Sequence, residues 1–598
     1  MTTQTRTASA ADTYLQRAKQ FRSLRDLYHR RWQWMGLLRL ITFAAFAWQL
    51  VVFFQNHFQT HSIVYALSAL AAFFVFLFIS FGYQRHKKYY EQLLQINENE
   101  LAVMDGRRSF LADGTEYKAG EGFASDLNVF GPGSLYHQLN RSATLPGRDK
   151  LAAQANTPFV VPETIVAYQQ AVKELGPRID FRQTLLARGL LIGKEEGLKQ
   201  LLEGIDRRQF DLLTHTAVRL LSWIWPFFGC VILTYSIVVN RYQLLLLFLV
   251  CGLLLAALFV RKTGALYNHI SKKSYLYGQY AVCFQTITGE IWLDDYLRTQ
   301  QRQLADAEHA FQRLSRLVNW FDIRLNVFLS PFANGLFLSD LVCALAYLKW
   351  NGQYQQRVPG WFDTLGEIEV LNSLATFHYN HPRFVFPQPE YGPLHISATS
   401  VGHPLMNETK AVLNDISLGD EGTLQLITGS NMSGKSTYLR TVGLNLLLAQ
   451  MGAPVFAGTF SFSPMQIRSS FHHIDSLEES TSYFYAELKS LQRIIRSLDG
   501  PVPSLVLLDE VMRGTNSKDK HDGTELLISK LMAHNCLTMI ATHDTELGVL
   551  ADKYPGKVRN YHFESELAAD GLHFDFKRKP GVARMTNATY LMKQMGII

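Results

Sequence analysis

Charge is scarce in this chain of 598 residues: Asp, Glu, Lys and Arg together make up 18%, below the ~25% of soluble domains. Apolar residues reach 47% and aromatics 12%, so the shortfall points to lipid-facing segments rather than to disorder, which needs few aromatics and high charge. Cysteine is also scarce. The five cysteines, Cys230, Cys251, Cys283, Cys343 and Cys536, form no C-x-x-C pair, which argues against a disulfide framework or thiolate metal centre and for a reducing compartment. No tandem repeat or low-complexity tract stands out. The net charge of +7 is mild, and suits nucleic acid, an anionic membrane surface or the basic flanks of membrane spans alike.

Long apolar runs are present instead. Residues 37–54 and 63–83 form one pair, and residues 221–239 and 242–260 a second, each run close to the ~20 residues that cross a hydrocarbon core. Their connecting turns are too short to hold a folded unit, so each pair is predicted to cross and return. Lys19, Arg22, Arg25, Arg30 and Arg31 precede the first pair and Arg85, Lys87 and Lys88 follow it, whereas residues 55–61 contain no Lys or Arg. Arg207, Arg208 and Arg219 precede the second pair and Arg261, Lys262, Lys272 and Lys273 follow it, with only Arg241 in its turn. Basic flanks mark the cytoplasmic side. An integral protein of the cytoplasmic (inner) membrane follows, with four spans and with both termini in the cytoplasm. The competing reading is four buried core helices of a large soluble protein, for which Arg39 near the start of the first run speaks.

The remaining segments divide by pattern. Residues 1–36 form a basic N-terminal segment, 37–83 the first hairpin, and 84–219 a helical block broken by Gly120, Gly122, Gly131, Pro132 and Gly133. After the second hairpin (220–260), residues 261–390 read as helical again, with Ile368, Leu371, Leu374 and Ala375 at helical spacing. The apolar stretch 325–348 contains Asn326, Pro331, Asn334 and Asp340; it reads as a packed helix pair, with a membrane re-entrant segment as the alternative. From residue 391 to 598 short buried strands alternate with helices: 423–428, 504–508 and 537–541 are strand-like, 437–450 and 523–534 helical. The predicted fold class is therefore α plus α/β, with a parallel sheet in the C-terminal domain.

That domain carries the chemistry. Gly429-Ser430-Asn431-Met432-Ser433-Gly434-Lys435-Ser436, followed by Thr437, fits the glycine-rich phosphate loop GxxxxGK[ST] between a strand and a helix. Its glycines let successive amides face phosphates, with the helix N-terminus behind them. Lys435 is then expected at the β and γ phosphates of ATP, and the Ser436 hydroxyl at Mg²⁺. The apolar run 504–508 ends in Asp509-Glu510, placing two carboxylates at the edge of a buried strand. Asp509 is expected to orient the Mg²⁺ shell and Glu510 the attacking water. One unit later, Ala541-Thr542-His543-Asp544 puts an imidazole beside the same edge, within reach of the γ-phosphate.

The runs TGSNMSGKSTYLRTVG (428–443), LVLLDEVMRGTNS (505–517) with His521-Asp522-Gly523, and ATHDTEL (541–547) resemble the ATPase domain of the MutS family of DNA mismatch repair proteins. Gly402-His403-Pro404 is similar to the start of that domain, which implies His403 and Pro404 near the nucleotide base. Ser482-Tyr483-Phe484 with Glu487 resembles its ABC-type signature region, so the resemblance implies a head-to-tail homodimer in which Ser482 completes the opposite subunit's ATP site. Lys579-Pro580-Gly581 looks like the family's closing segment. Upstream, residues 126–130, 133–141 and 146–148 are similar to the start of the family's helical core and lever, and 367–375 to its end. Departures are Met512 where the family has glycine, an apparent insertion around Lys518 to Lys520, no Phe-x-Glu before residue 400, and a chain ending soon after Gly596. They put mismatch reading in doubt. The resemblance implies a membrane-anchored ATPase whose dimer moves attached helical levers, with DNA a candidate partner through sequence-independent contacts. The alternatives are a nucleotide-switched membrane scaffold without DNA and, lacking an LSGGQ-like segment, an ABC-type transporter half.

Overall fold

The computed structural model describes residues 9–55, 60–118, 120, 122–193, 198–205, 207–270, 273–471, 483–512, 515–568 and 571–583. Two very long helices, α1 (Ala10–Gln55) and α2 (Thr60–Met104), run antiparallel against each other. At 1.5 Å per residue each is about 68 Å long, more than twice the ~30 Å of a hydrocarbon core. Only the halves next to their turn are continuously apolar. The other halves form a stalk, where Ala18 and Phe21 of α1 pack with Leu93, Leu94 and Ile96 of α2 and Leu186 and Ala187 of the helical block. At the changeover Tyr28 stacks on His86 and Tyr90, Arg31 lies over Tyr28 and Tyr83, and Lys87 over Trp32.

The stalk is fixed to the helical block by buried charge. Glu100 of α2 (1% exposed) accepts from Arg141 Nε at 2.5 Å and Nη2 at 3.1 Å, and from Asn380 Nδ2 at 2.8 Å. Tyr14 of α1 donates to Asn380 Oδ1 at 2.8 Å. The longer helices that follow are α3 (Leu145–Asn156), α4 (Pro162–Leu175) and α5 (Ile179–Leu190) of the block, the apolar pair α6 (Thr216–Val239) and α7 (Gln243–Ile270), and then, again in the block, α8 (Ser274–Thr288), α9 (Asp295–Gln303), α10 (Ala307–Phe321), α11 (Leu329–Phe337), α12 (Ser339–Tyr354) and α13 (Val358–Asn380). Thr144 caps α3 by accepting from Gly147 N. Helix α13 is buried over most of its length and packs against α3 and α4. Gly366 permits that approach, since a Cβ there would meet the Pro146 carbonyl oxygen at 2.7 Å.

Helices α1, α2, α6 and α7 are long and apolar enough to cross a membrane, and their apolar windows are only 0, 11, 11 and 6% buried. Among the described residues, therefore, the four runs are not covered as buried core helices would be.

Beyond α13 the chain forms two sheets. The smaller has the order β1 (Gln388–Pro389), β5 (Thr459–Phe462), β2 (Ile396–Val401), β3 (Asn414–Leu418). The larger runs β10 (Gly571–Pro580), β9 (Val558–Ala568), β4 (Leu424–Gly429), β8 (Cys536–Thr542), β7 (Ser504–Asp509), β6 (Gln466–Ser470). Strands β9, β4, β8, β7 and β6 are parallel to their neighbours, and β10 returns antiparallel on β9. Strands β4, β7 and β8 are buried on both faces, as a parallel sheet covered by helices requires. Helices α14 (Lys435–Gln450), α15 (Tyr483–Ser497) and α16 (Ser517–Leu531) connect them. The helix predicted over 523–534 begins earlier, at Ser517, because the Asn516 side chain caps it by accepting from Asp519 N at 2.8 Å. Lys518 to Lys520 are thus its first turn.

One apolar core runs from the helical block through α14 to one face of the large sheet, while a second fills the opposite face. Gly443 of α14 lies against Leu127, where a Cβ would meet Leu127 Cδ1 at 2.8 Å, and Arg440 Nε donates to the Asp126 carbonyl oxygen at 2.9 Å. At the other end of α14, Phe159 N bonds the Gln450 carbonyl oxygen and Gln154 Nε2 that of Met451.

Candidate functional site

Sheet register gathers the motifs. Thr428 of β4 pairs with Thr542 of β8, and Ala541 of β8 with Asp509 of β7. The loop after β4, the carboxylates ending β7 and the imidazole after β8 therefore emerge side by side at the carboxyl edge of three adjacent parallel strands. His543 Nε2 lies 2.6 Å from Glu510 Oε1 and 3.5 Å from Lys435 Nζ. Three sequence motifs, spread over more than a hundred residues, thus meet within one hydrogen-bonded set.

The loop between β4 and α14 is shaped by its glycines. Gly429 (φ 151°) would bring a Cβ to 2.7 Å from the Phe563 carbonyl oxygen, and Gly434 (φ 105°) to 3.1 Å from Phe576 Cδ1. Met432, 79% exposed at the loop tip, also takes a left-handed φ of 66°. Lys435 Nζ folds back to donate to the carbonyl oxygens of Gly429 at 2.8 Å and Ser430 at 3.0 Å. The Ser433 hydroxyl is buried without a hydrogen-bond partner among the described residues. A buried polar atom left so is costly, and an anion seated in the loop would satisfy it.

Backbone strain concentrates on the carboxylate side. Glu510 (φ 54°) and Met512 (φ 61°) are both left-handed, at roughly 1–2 kcal/mol each for a non-glycine residue. Glu510 is held there by its N–H to the Ala541 carbonyl oxygen at 2.8 Å, and Met512 by its N–H to Glu487 Oε1 at 2.5 Å. The family's glycine at the position of Met512 is thus explained by conformation. Methionine is accommodated because Gly523 leaves room for it: a Cβ there would meet Met512 Sδ at 2.5 Å.

A cleft of about 480 Å³ opens over the loop, lined by Ser430 to Tyr438 with Thr441 and Glu510, and by His403, Met406, Lys410, Asn414, Phe563 and Phe576 among others. Of the residues singled out from the sequence, Ser430, Asn431, Met432, Ser433, Gly434, Lys435, Ser436, Thr437, His403 and Glu510 line it. Asp509 lies at the strand end beneath, 3% exposed. Pro404 does not line this cleft; it borders another cavity, shared with Met104, Asn380 and Glu408. Ser482 and Arg513-Gly514 lie outside the described residues. Burial, and then the nearby Arg440 charge, push the His403 imidazole down to about 4, so it is neutral at neutral pH and its Nδ1 accepts from Leu405 N at 3.3 Å.

Met406, Lys410, Asn414, Phe563 and Phe576 line the cleft without a signal in the sequence. Phe576 sits on an irregularity of β10 between Phe574 and Arg578, pinned because Asn414 Nδ2 donates to its carbonyl oxygen at 3.0 Å while Asn414 Oδ1 accepts from Arg578 N at 2.8 Å. Only the folding of β10 back across β9 brings it over the loop.

The fold and site define an α/β domain that gathers a glycine-rich loop, paired carboxylates and an imidazole at one sheet edge. The profile of MutS domain V matches residues 425–596, so the similarity to the MutS family rests on this C-terminal domain. It is 32% identical over 256 residues to the DNA mismatch repair protein MutS of Natronomonas pharaonis, covering 40% of this chain and 28% of that one. Against the DNA mismatch repair protein MSH3 of Arabidopsis thaliana it is 33% identical over 233 residues, 36% of this chain and 20% of that one. For the DNA mismatch repair protein MutS of Thermotoga petrophila the figures are 32% over 246 residues, 39% and 29%. The chain thus spans less than a third of the length of these relatives.

Proposed function

We propose that this protein is a membrane-anchored ATPase of MutS type, which binds and hydrolyses ATP with Mg²⁺ as a dimer and uses the cycle to move its helical block. The observation that carries this reading is the 2.6 Å contact of His543 Nε2 with Glu510, the same Nε2 lying 3.5 Å from Lys435 Nζ, at the strand edge where phosphate chemistry belongs. The loop amides and Lys435 bind the triphosphate, Lys435 exchanging its two loop carbonyls for phosphate oxygens. Glu510 orients the attacking water, and His543 positions Glu510. Ser436 and Asp509 are hard oxygen donors and fit Mg²⁺, which when bound neutralises phosphate charge. The neutral His403 and the rings of Phe563 and Phe576 line a wall suited to a planar base.

The apolar hairpins α1–α2 and α6–α7 are the anchor, and their basic flanks orient the ATPase domain to the cytoplasm. Helix α14 begins at the phosphate loop and packs along its length on the helical block, so a change at the loop is passed to that block. Ser482 closes the opposite subunit's site. The relatives are named for DNA mismatch repair, and DNA is the partner proposed here, held by phosphate contacts without sequence reading.

The test is ATP hydrolysis by detergent-purified protein with and without duplex, mismatched and branched DNA at fixed salt. DNA stimulation that falls with salt is expected. ATP turnover unaffected by every DNA would remove DNA from the account and leave a nucleotide-switched scaffold; no turnover at all would overturn the enzyme.

A further inference from the structure

Helices α11 and α12 meet at a bend of 72°, and their joint is wedged between the two apolar helices of the second hairpin. Trp225 Nε1 of α6 donates to the Gly335 carbonyl oxygen at 3.0 Å. Glycines make the approach possible on every side: a Cβ on Gly229 of α6 would meet the Leu336 carbonyl oxygen at 2.3 Å, and one on Gly252 of α7 the Gly335 carbonyl oxygen at 1.8 Å. Such small-residue contacts are how helices pack closely in lipid.

The two helices independently give the depth of this joint. Gly229 lies eight residues inside the apolar run that starts at Leu221, and Gly252 eight residues inside the run that ends at Val260. At 1.5 Å per residue both place Gly335 and Leu336 about 12 Å below the cytoplasmic edge, close to the middle of a ~30 Å hydrocarbon core. Both ends of the segment return to the same side. Asp322, just before it, accepts from Tyr267 Oη at 2.9 Å, seven residues beyond Val260 on α7. After it, α12 carries Trp350 into the helical block, where its Nε1 donates to the Ala310 carbonyl oxygen at 2.8 Å.

Resting on the membrane reading above, we infer that residues 325–338 are a re-entrant segment, entering the bilayer from the cytoplasmic face, turning near mid-depth and returning. Its outer surface is made for hydrocarbon: Leu325, Val327, Phe328, Leu329 and Phe332 are 55–84% exposed. Its polar groups are satisfied internally, as lipid demands. Asn334, 8% exposed, accepts from Asp340 N at 3.0 Å and Ser339 Oγ at 3.3 Å across the bend, where Leu338 takes a left-handed φ of 46°.

The experiment uses full-length protein, with Cys230 and Cys251 replaced by alanine, in phosphatidylcholine vesicles. Spin labels are placed singly at Phe328→Cys, Val327→Cys, Leu254→Cys on α7 and Val161→Cys in the helical block. Power saturation then compares accessibility to oxygen, which concentrates in lipid, with that to a water-soluble nickel chelate. Labels at 327 and 328 are expected to follow the label at 254, favouring oxygen, and to differ from that at 161. Labels at 327 and 328 that follow 161 while 254 favours oxygen would overturn the re-entrant segment alone; nickel access at 254 as well would overturn the membrane reading and this inference with it.

Discussion

Lys435 and Glu510 both approach Nε2 of the His543 imidazole, and their chemistry predicts different failures. In the roles proposed above, removing the Lys435 ammonium would remove phosphate-binding charge, whereas Glu510→Gln would keep the shape and lose only the group that orients water. Fluorescent-nucleotide titration should therefore show binding lost in Lys435→Ala and retained in Glu510→Gln, with turnover abolished in both; equal loss of binding would contradict the role given to Glu510. His403 makes a pH prediction. Its folded-state value of about 4 lies below the ordinary ~6.5, so below pH 6.5 the unfolded chain binds the extra proton and stability falls as pH drops towards 4, by at most about 3 kcal/mol. The melting temperature of the C-terminal domain in detergent should fall across that window, and His403→Gln should flatten the fall. An unchanged slope would contradict the burial argument. At this scale the sequence is most legible, because Gly429 to Ser436, Asp509-Glu510 and His543 are contiguous motifs whose residue types state their chemistry. Phe576 and Asn414 are not legible: each reaches the loop only through strand pairing between distant segments.

Among the elements, the four apolar helices were legible from run length and charge flanks, since those properties are local. The stalk was not. Charged positions such as Arg22 and Glu98, which pair at 2.6 Å, look like an ordinary solvated helix until α1 and α2 are seen continuing together out of the apolar region. The bend at Leu338 was legible only as a choice between a core helix pair and a re-entrant segment, because Asn334 and Asp340 reveal their partners only in three dimensions. The stalk's anchor is open to test. Glu100 and Arg141 are 1% and 2% exposed, and truncating one partner of a buried pair strands the other charge, at about 3–5 kcal/mol. Arg141→Ala should lower the melting temperature in detergent by several degrees, and the double variant Glu100→Gln with Arg141→Met should recover part of it. A silent Arg141→Ala would mean that the stalk does not depend on this pair.

At the scale of the whole molecule, one apolar core runs from the helical block through α14 to one sheet face and so joins the nucleotide loop to that block. Under the proposed membrane anchoring, protomers confined to a plane would meet at raised effective concentration. If Ser482 acts across the dimer, Glu510→Gln and Ser482→Ala subunits complement each other, since a mixed dimer holds one site with both groups intact. Co-reconstituted in equal amounts they should recover about a quarter of wild-type turnover, half the dimers being mixed with one working site of two. A mixture no better than the average of the two single variants, with mixed dimers confirmed by light scattering, would mean isolated sites. The account's central claim is an ATPase held at the cytoplasmic face of a membrane by its own helices, and one measurement addresses it most directly: hydrolysis of added ATP by sealed cytoplasmic-membrane vesicles of both orientations, for wild type and Glu510→Gln. Inverted vesicles should turn over ATP at once, right-side-out vesicles only after detergent opens them, and Glu510→Gln should abolish both. Turnover untouched by Glu510→Gln, or found in intact right-side-out vesicles or in the soluble fraction, would contradict the account.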